Sequence, residues 1–275
     1  MAQKSHFLLT LILFSFLAFP SITLAQGDLM IMPKRLLFTG NERSQEINLV
    51  NTGSDTATYA ISFIQYDMKE DGSFEEINEP VEGQRFADEF LRYYPRRVSL
   101  APNEAQTVRV QITKRNLLQD GEYRSHIYFR AIEDEAALGA TDTDTDDKAI
   151  SINIKTVFGI SIPVIIREGE NNTKVDLNNL KVLQEEKGKN LSFTFNRNGN
   201  FSTYGDLEVD YISENNERTP VSKVRGLAVY TPNSRRDFSI DLPEIEGVDY
   251  SKGNLSIVYK TEEGKVYGTS TLKLE

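Results

Sequence analysis

The sequence predicts an all-β protein made of two successive β-sandwiches. Three observations carry this. Apolar residues recur with period two along most of the chain, which is the spacing of a half-buried strand. The runs are short, about 8–12 residues apart, and separated by Gly, Asn, Asp and Pro turn signals, as in sandwich folds. No segment sustains a helical period. The chain has 275 residues, and a polar, non-periodic stretch at Glu168–Asn172 divides it. The expected organisation is a leader at 1–25, a first domain at 26–168 and a second at 169–275.

The leader is recognised by its chemistry. Lys4 supplies a positive start, and Phe7–Phe19 is an apolar run of 13 residues, shorter than the roughly 20 that a membrane span requires. Thr23-Leu24-Ala25 ends it in small residues, so a secretory signal cleaved after Ala25 is expected. No later run approaches the ~18 apolar residues of a spanning helix. The mature chain is expected to be exported, without membrane insertion.

In chain order, Leu29–Phe38 reads as a first strand, and Pro33 places it at an edge or a bulge. Gln45–Val50 and Thr58–Tyr66 alternate, with Asn51–Ser54 as the turn between them. Asp67–Glu89 is charged, and Asp71-Gly72 marks a hairpin turn. Phe90–Leu100 and Gln106–Thr113 are strands about the turn Ala101–Glu104, and Tyr123–Ile132 is the next. Beyond the boundary, strands are expected at 175–185, 191–196, 207–213, 227–230, 238–242, 254–260 and 266–274.

The longest alternation lies between these groups, at Ala149–Arg167. Ile150, Ile152, Ile154, Phe158, Ile160 and Ile162 share one face, interrupted only by Thr156. Most strands run about 5–6 residues, and this one is roughly three times as long. An acidic loop, Glu133–Lys148, precedes it. Such a strand can serve its own core or receive a guest chain.

Composition narrows the function. The formal charge is −10, and loss of residues 1–25 removes only Lys4, leaving 30 basic against 41 acidic residues, or −11. This disfavours nucleic acid and anionic membranes as partners. The chain has no Cys and two His, of which only His126 follows the leader. A Cys–His site is impossible, and a Ser–His–Asp set would have to use His126, which reads as an ordinary outward-facing strand residue. Asp142–Asp146 opens like a calcium loop, but the sixth and twelfth positions are Asp147 and Asn153 instead of Gly and Glu. No metal, cofactor or catalytic role is expected.

Several segments, in order, resemble one family: the PapD-like periplasmic chaperones of the chaperone–usher pilus pathway. PKRLLFTG (Pro33–Gly40) resembles the family's first strand, with an Arg three residues before an aromatic. YYPRRVSLAPNEAQTVRV (Tyr93–Val110), NLLQDGEYRSHIYFRAI (Asn116–Ile132) and SINIKTVFGISIPVIIR (Ser151–Arg167) resemble its middle and seventh strands. LSFTFNRNGNFSTYGDLEV (Leu191–Val209) resembles the start of its second domain. The resemblance implies two immunoglobulin-like domains in an L-shaped arrangement and a periplasmic location. It also implies a chaperone that lends its seventh strand to pilin-like secreted subunits lacking a final strand, in a pathway with an outer-membrane usher.

On that resemblance, Ile150, Ile152, Ile154, Phe158 and Ile160 contact the subunit, and Arg35 anchors its terminal carboxylate. The family's partner lysine is replaced here by Pro163. Glu122, Arg167 and Asp249 correspond to an interdomain charge network. A self-capping dimer is a further expectation, because a free Ile-rich edge must be covered. The alternative is an exported structural or surface-assembly protein that keeps the fold without pilin-chaperone activity, a reading favoured by Pro163 and the acidic balance.

Overall fold

The computed structural model describes residues 29–132, 158–186 and 188–274. The first half contains β1 (Leu29–Met32), β2 (Leu36–Phe38), β3 (Ser44–Asn51), β4 (Ala57–Ile64), β5 (Tyr66–Met68), β6 (Phe74–Glu76), β7 (Leu91–Tyr94), β8 (Arg97–Leu100), β9 (Ala105–Ile112), β10 (Gly121–Ile132) and β11 (Gly159–Glu168). The second contains β12 (Lys174–Glu185), β13 (Gly188–Asn198), β14 (Thr203–Ile212), β15 (Arg218–Val229), β16 (Arg235–Leu242), β17 (Asn254–Lys260) and β18 (Val266–Lys273).

In the first sandwich, a sheet ordered β1-β3-β9-β7 faces one ordered β2-β11-β10-β4-β8. This is the ABED-against-CFG arrangement of immunoglobulin folds. Two predicted strands divide at prolines and change sheets. Leu29–Phe38 breaks at Pro33, so that β1 pairs with β3 while β2 pairs with β11. Phe90–Leu100 breaks at Pro95, so that β7 pairs with β9 while β8 pairs with β4. Proline has no N–H to donate, so a ladder ends there and the chain is free to cross. Alternate residues of both sheets fill the core: Ile47 and Leu49, Val108 and Val110, Ile127 and Phe129, Val164 and Ile166. Buried Asn51 ties the mouth together, donating to the carbonyls of Asp55 (2.7 Å) and Leu100 (2.9 Å).

The second sandwich packs β12-β13-β16 against β15-β14-β17-β18. β14 and β17 alternate buried and half-buried residues along their whole lengths. Phe193, Phe195, Leu207, Val209, Ile257 and Tyr259 form its centre. Gly205 is required for close approach, since a Cβ there would lie 2.2 Å from the Lys260 carbonyl oxygen. The first half of β15, Arg218–Arg225, was not expected as strand: it is a half-exposed edge segment whose polar side chains show no clean alternation.

A third apolar cluster joins the halves. Met68 and Ile165, with Leu37, meet Ala228 and Tyr230, with Tyr204. The expected hairpin about Asp71-Gly72 is β5–β6, with Gly72 at φ +84°. It reaches across to the second sandwich, where Asp237 N donates to Glu70 O at 2.7 Å and Asn233 Nδ2 to Met68 O at 2.5 Å.

Candidate functional site

The site is built on β11. On one side β11 runs antiparallel to β10 over its whole length, from Gly159 opposite Arg130 to Glu168 opposite Gly121. On the other side, among the described residues, it pairs only with β2, in parallel, at Val164–Ile166. The Phe158 carbonyl accepts from Ala131 N at 2.9 Å, which fixes the direction of the backbone groups. Even-numbered residues point theirs at β10, so Gly159, Ser161 and Pro163 point theirs at the other edge. Pro163 therefore stands where its missing N–H leaves the β10 ladder intact. In register, it lies opposite Arg35, one step before the Val164–Leu36 pair.

Side chains divide the same strand. Ile162, Val164 and Ile166 are buried in the first sandwich. Toward the start of β11 this face leaves the core: Ile160 is 38% exposed and Phe158 48%. An apolar hollow of about 480 Å³ opens beside them, walled by Leu29, Ala57, Tyr59 and Phe129. The other three residues expected on this face, Ile150, Ile152 and Ile154, lie outside the described residues.

At its other end β11 enters a cleft of about 220 Å³ lined by Arg35, Leu37, Arg167, Tyr204, Tyr267 and the turn Thr261–Glu263. The Arg35 guanidinium lies 4.2 Å from the Tyr204 ring centroid, and its buried Nε has no hydrogen-bond partner among the described residues. The cleft is mixed in sign, because Glu262 and Glu263 line it together with the two arginines.

Glu122 and Arg167 are brought together. Arg167 Nε donates to Glu122 Oε2 at 2.8 Å, with Glu122 fully buried and Arg167 12% exposed. Glu122 also accepts from Ser202 N (3.0 Å), Ser202 Oγ and Thr231 Oγ1 (3.0 Å), all from the second sandwich. Arg167 Nη2 in turn donates to Ser202 O at 2.6 Å. Asp249 does not join this network. Its carboxylate accepts from Ser251 N and Oγ in its own turn, which lowers its pKa, and it lies 3.7 Å from Lys252. A half-exposed carboxylate satisfied within its own turn has no need of a distant arginine.

His126 is a second correction, because it is buried and not outward-facing. β10 is the middle strand of its sheet, and its outer face is covered by the β5–β6 hairpin and by Tyr230. Burial, and then the charge of Arg124, push the imidazole pKa down to about 3. Burial likewise lowers Arg124 and raises Tyr230. Sequence reasoning missed Arg124, Tyr204, Tyr230, Ser202 and Thr231. One signal was present: Glu122, Arg124 and His126 occur at every second position of a strand whose other face is apolar, so a polar face was due to meet something.

No protein-family model matches the chain, and no curated protein matches it in sequence. Among solved structures, the chain is similar to the YadV chaperone (TM-score 0.45, 12% identity, 90% of this chain and 100% of that one). It is also similar to the class 5 fimbriae chaperone CfaA (TM-score 0.44, 14% identity, 90% and 99%) and to the Pseudomonas aeruginosa CupB2 chaperone (TM-score 0.44, 14% identity, 90% and 100%).

Proposed function

We propose that this protein is a periplasmic, non-catalytic chaperone that holds secreted pilin-like subunits by strand addition along β11, with domains at 26–168 and 169–275. The observation that carries this reading is the open edge at Gly159–Pro163, which starts beside exposed Phe158 and Ile160 and leads, in register, to Arg35. A guest strand placed there continues the line of β2 and runs parallel to β11. Its C-terminal end then meets Arg35, which lines the cleft and whose guanidinium is suited to a charge-assisted hydrogen bond with a carboxylate. Pro163 opposite supplies no cation. Arg167, in the same cleft, is the second positive group.

Magnitudes set what the guest must engage. A fully buried Ile or Phe contributes about 1.5–3 kcal/mol, while association costs about 4–15 kcal/mol. Phe158 and Ile160 alone fall short of that. In this reading the sequence supplies Ile150, Ile152 and Ile154 as further apolar residues for the guest, and main-chain pairing along the edge of β11 supplies the rest.

The test is a pull-down of the tagged mature protein from periplasm, with an Ile160→Asp variant beside it. The expected result is a small secreted partner whose sandwich lacks its last strand, captured by the unmodified protein and lost with the variant. Recovery of self-associated copies alone overturns the reading.

A further inference from the structure

We propose that the joint between the two sandwiches is acid-sensitive, loosening when His126 gains a proton inside the aromatic enclosure that both halves build around it. The inference stands whatever the neighbouring cleft binds. The enclosure has three sources. Tyr66 and Phe74 come from the β5–β6 hairpin, with ring centroids 5.0 and 6.0 Å from the imidazole. Tyr230 comes from the second sandwich, at 6.4 Å. The imidazole itself comes from β10, the middle strand of its sheet. Phe74 also touches Tyr230, at 6.1 Å, so the rings close on one another as well as on His126.

Among the described residues, this enclosure offers a second positive charge no free carboxylate. Among the described residues His126 Nδ1 is buried without a partner, so a protonated ring would hold a donor with no acceptor there. The cross-strand partners of His126 are Ile64 and Pro163, neither of them charged. The charge acting on it from β10 is Arg124, which is also buried, lies 4.5 Å from the Tyr230 ring, and has unpartnered Nε and Nη1 atoms. The carboxylates acting on Arg124 are engaged elsewhere: Asp67 accepts from Lys69 at 2.8 Å, and Glu122 is held by Arg167, Ser202 and Thr231. From the hairpin, Glu75 is likewise paired with Lys69, at 2.6 Å.

The direction follows from linkage. The imidazole is neutral when enclosed and titrates near 6.5 when released into water. The enclosed state binds fewer protons, so its advantage is full above pH 6.5 and is lost as pH falls toward about 3. The element that gives way is the hairpin contact, because proton uptake requires water to reach a ring covered by Tyr66, Phe74 and Tyr230. To the second sandwich the hairpin makes the Asp237–Glu70 and Asn233–Met68 hydrogen bonds and a surface pair, Arg235–Glu70, at 3.6 Å; to the first, the Tyr66 carbonyl accepts from Gln84 Nε2 at 2.9 Å and Arg124 Nη2 at 3.3 Å.

Hydrogen exchange of the mature protein at pH 7 and pH 4.5, corrected for intrinsic rates, tests this. From the two proton affinities, the opening equilibrium for segments 66–76 and 230–240 should rise roughly 70-fold at the lower pH. β9, in the first core, should keep its protection. His126→Gln, neutral at both pH values, should remove the difference, and His126→Phe takes its place if the glutamine variant is unfolded at pH 7. Unchanged protection of the two segments in the unmodified protein overturns the proposal. Equal loss in the neutral variant does the same.

Discussion

Replacing Glu122 by alanine should destabilise the protein more than any single surface change. The carboxylate is fully buried and accepts from four donors: Arg167 Nε, Ser202 N, Ser202 Oγ and Thr231 Oγ1. Alanine leaves all four unmet and strands the Arg167 charge, which is only 12% exposed. Breaking a buried ion pair by removing one partner costs about 3–5 kcal/mol. With a urea slope of about 3 kcal/mol/M, the top of the usual range, the unfolding midpoint should fall by roughly 1–1.7 M. Glu122→Gln should fall between, losing about 1.5–3 kcal/mol, because its amide accepts at one oxygen but presents N–H groups where Arg167 Nε and Ser202 N already donate. The assay is urea unfolding at pH 7 followed by far-UV circular dichroism. A midpoint for Glu122→Ala within about 0.3 M of the unmodified protein, under ~1 kcal/mol, would refute the reasoning that this carboxylate holds the two sandwiches.

Further predictions concern β11 and its cleft. Phe158→Asp should leave the melting temperature nearly unchanged, whereas Ile162→Asp, four residues on along the same face and only 5% exposed, should lower it steeply by placing a carboxylate in the core. Similar melting temperatures for the two would show that the face does not leave the core where described. Pro163→Ala should change stability by less than about 1 kcal/mol, since the restored N–H points at the open edge. A loss of several kcal/mol in the same melting assay would show that this backbone direction is wrong. Arg35→Ala should give up only the stacking on Tyr204, about 0.5–1 kcal/mol. It should also weaken binding of a subunit's C-terminal peptide at least tenfold by calorimetry, and unchanged affinity would remove Arg35 as the anchor.

Local pattern was enough to find most strands. Period-two runs such as Gln45–Val50 and Gln106–Thr113 reappear as β3 and β9 with the expected residues inward. Asp71-Gly72 marked its hairpin, and Pro33 marked an edge. The failures share a cause. Pro33 and Pro95 signalled where ladders stop, but where the chain goes next depends on which sheet has an unfilled edge. Asp249 matched a pattern position, yet its own turn satisfies it. His126 looked like an outward strand residue because alternation identifies two faces without saying what covers each.

By itself, therefore, the sequence determined the two sandwiches, most of their turns and the alternation of Gly159–Arg167 within β11. Tertiary structure alone decided that the second face of β10 is interdomain, so that Glu122, Arg124 and His126 become joint residues instead of surface ones. It also decided that β2 begins only at Leu36, so that among the described residues the edge of β11 ahead of Val164 has no strand beside it. The reason is physical: periodicity records which side chains share a surface, whereas register and sheet order, set by the packing of distant segments, determine which surface is buried and which is left free to bind.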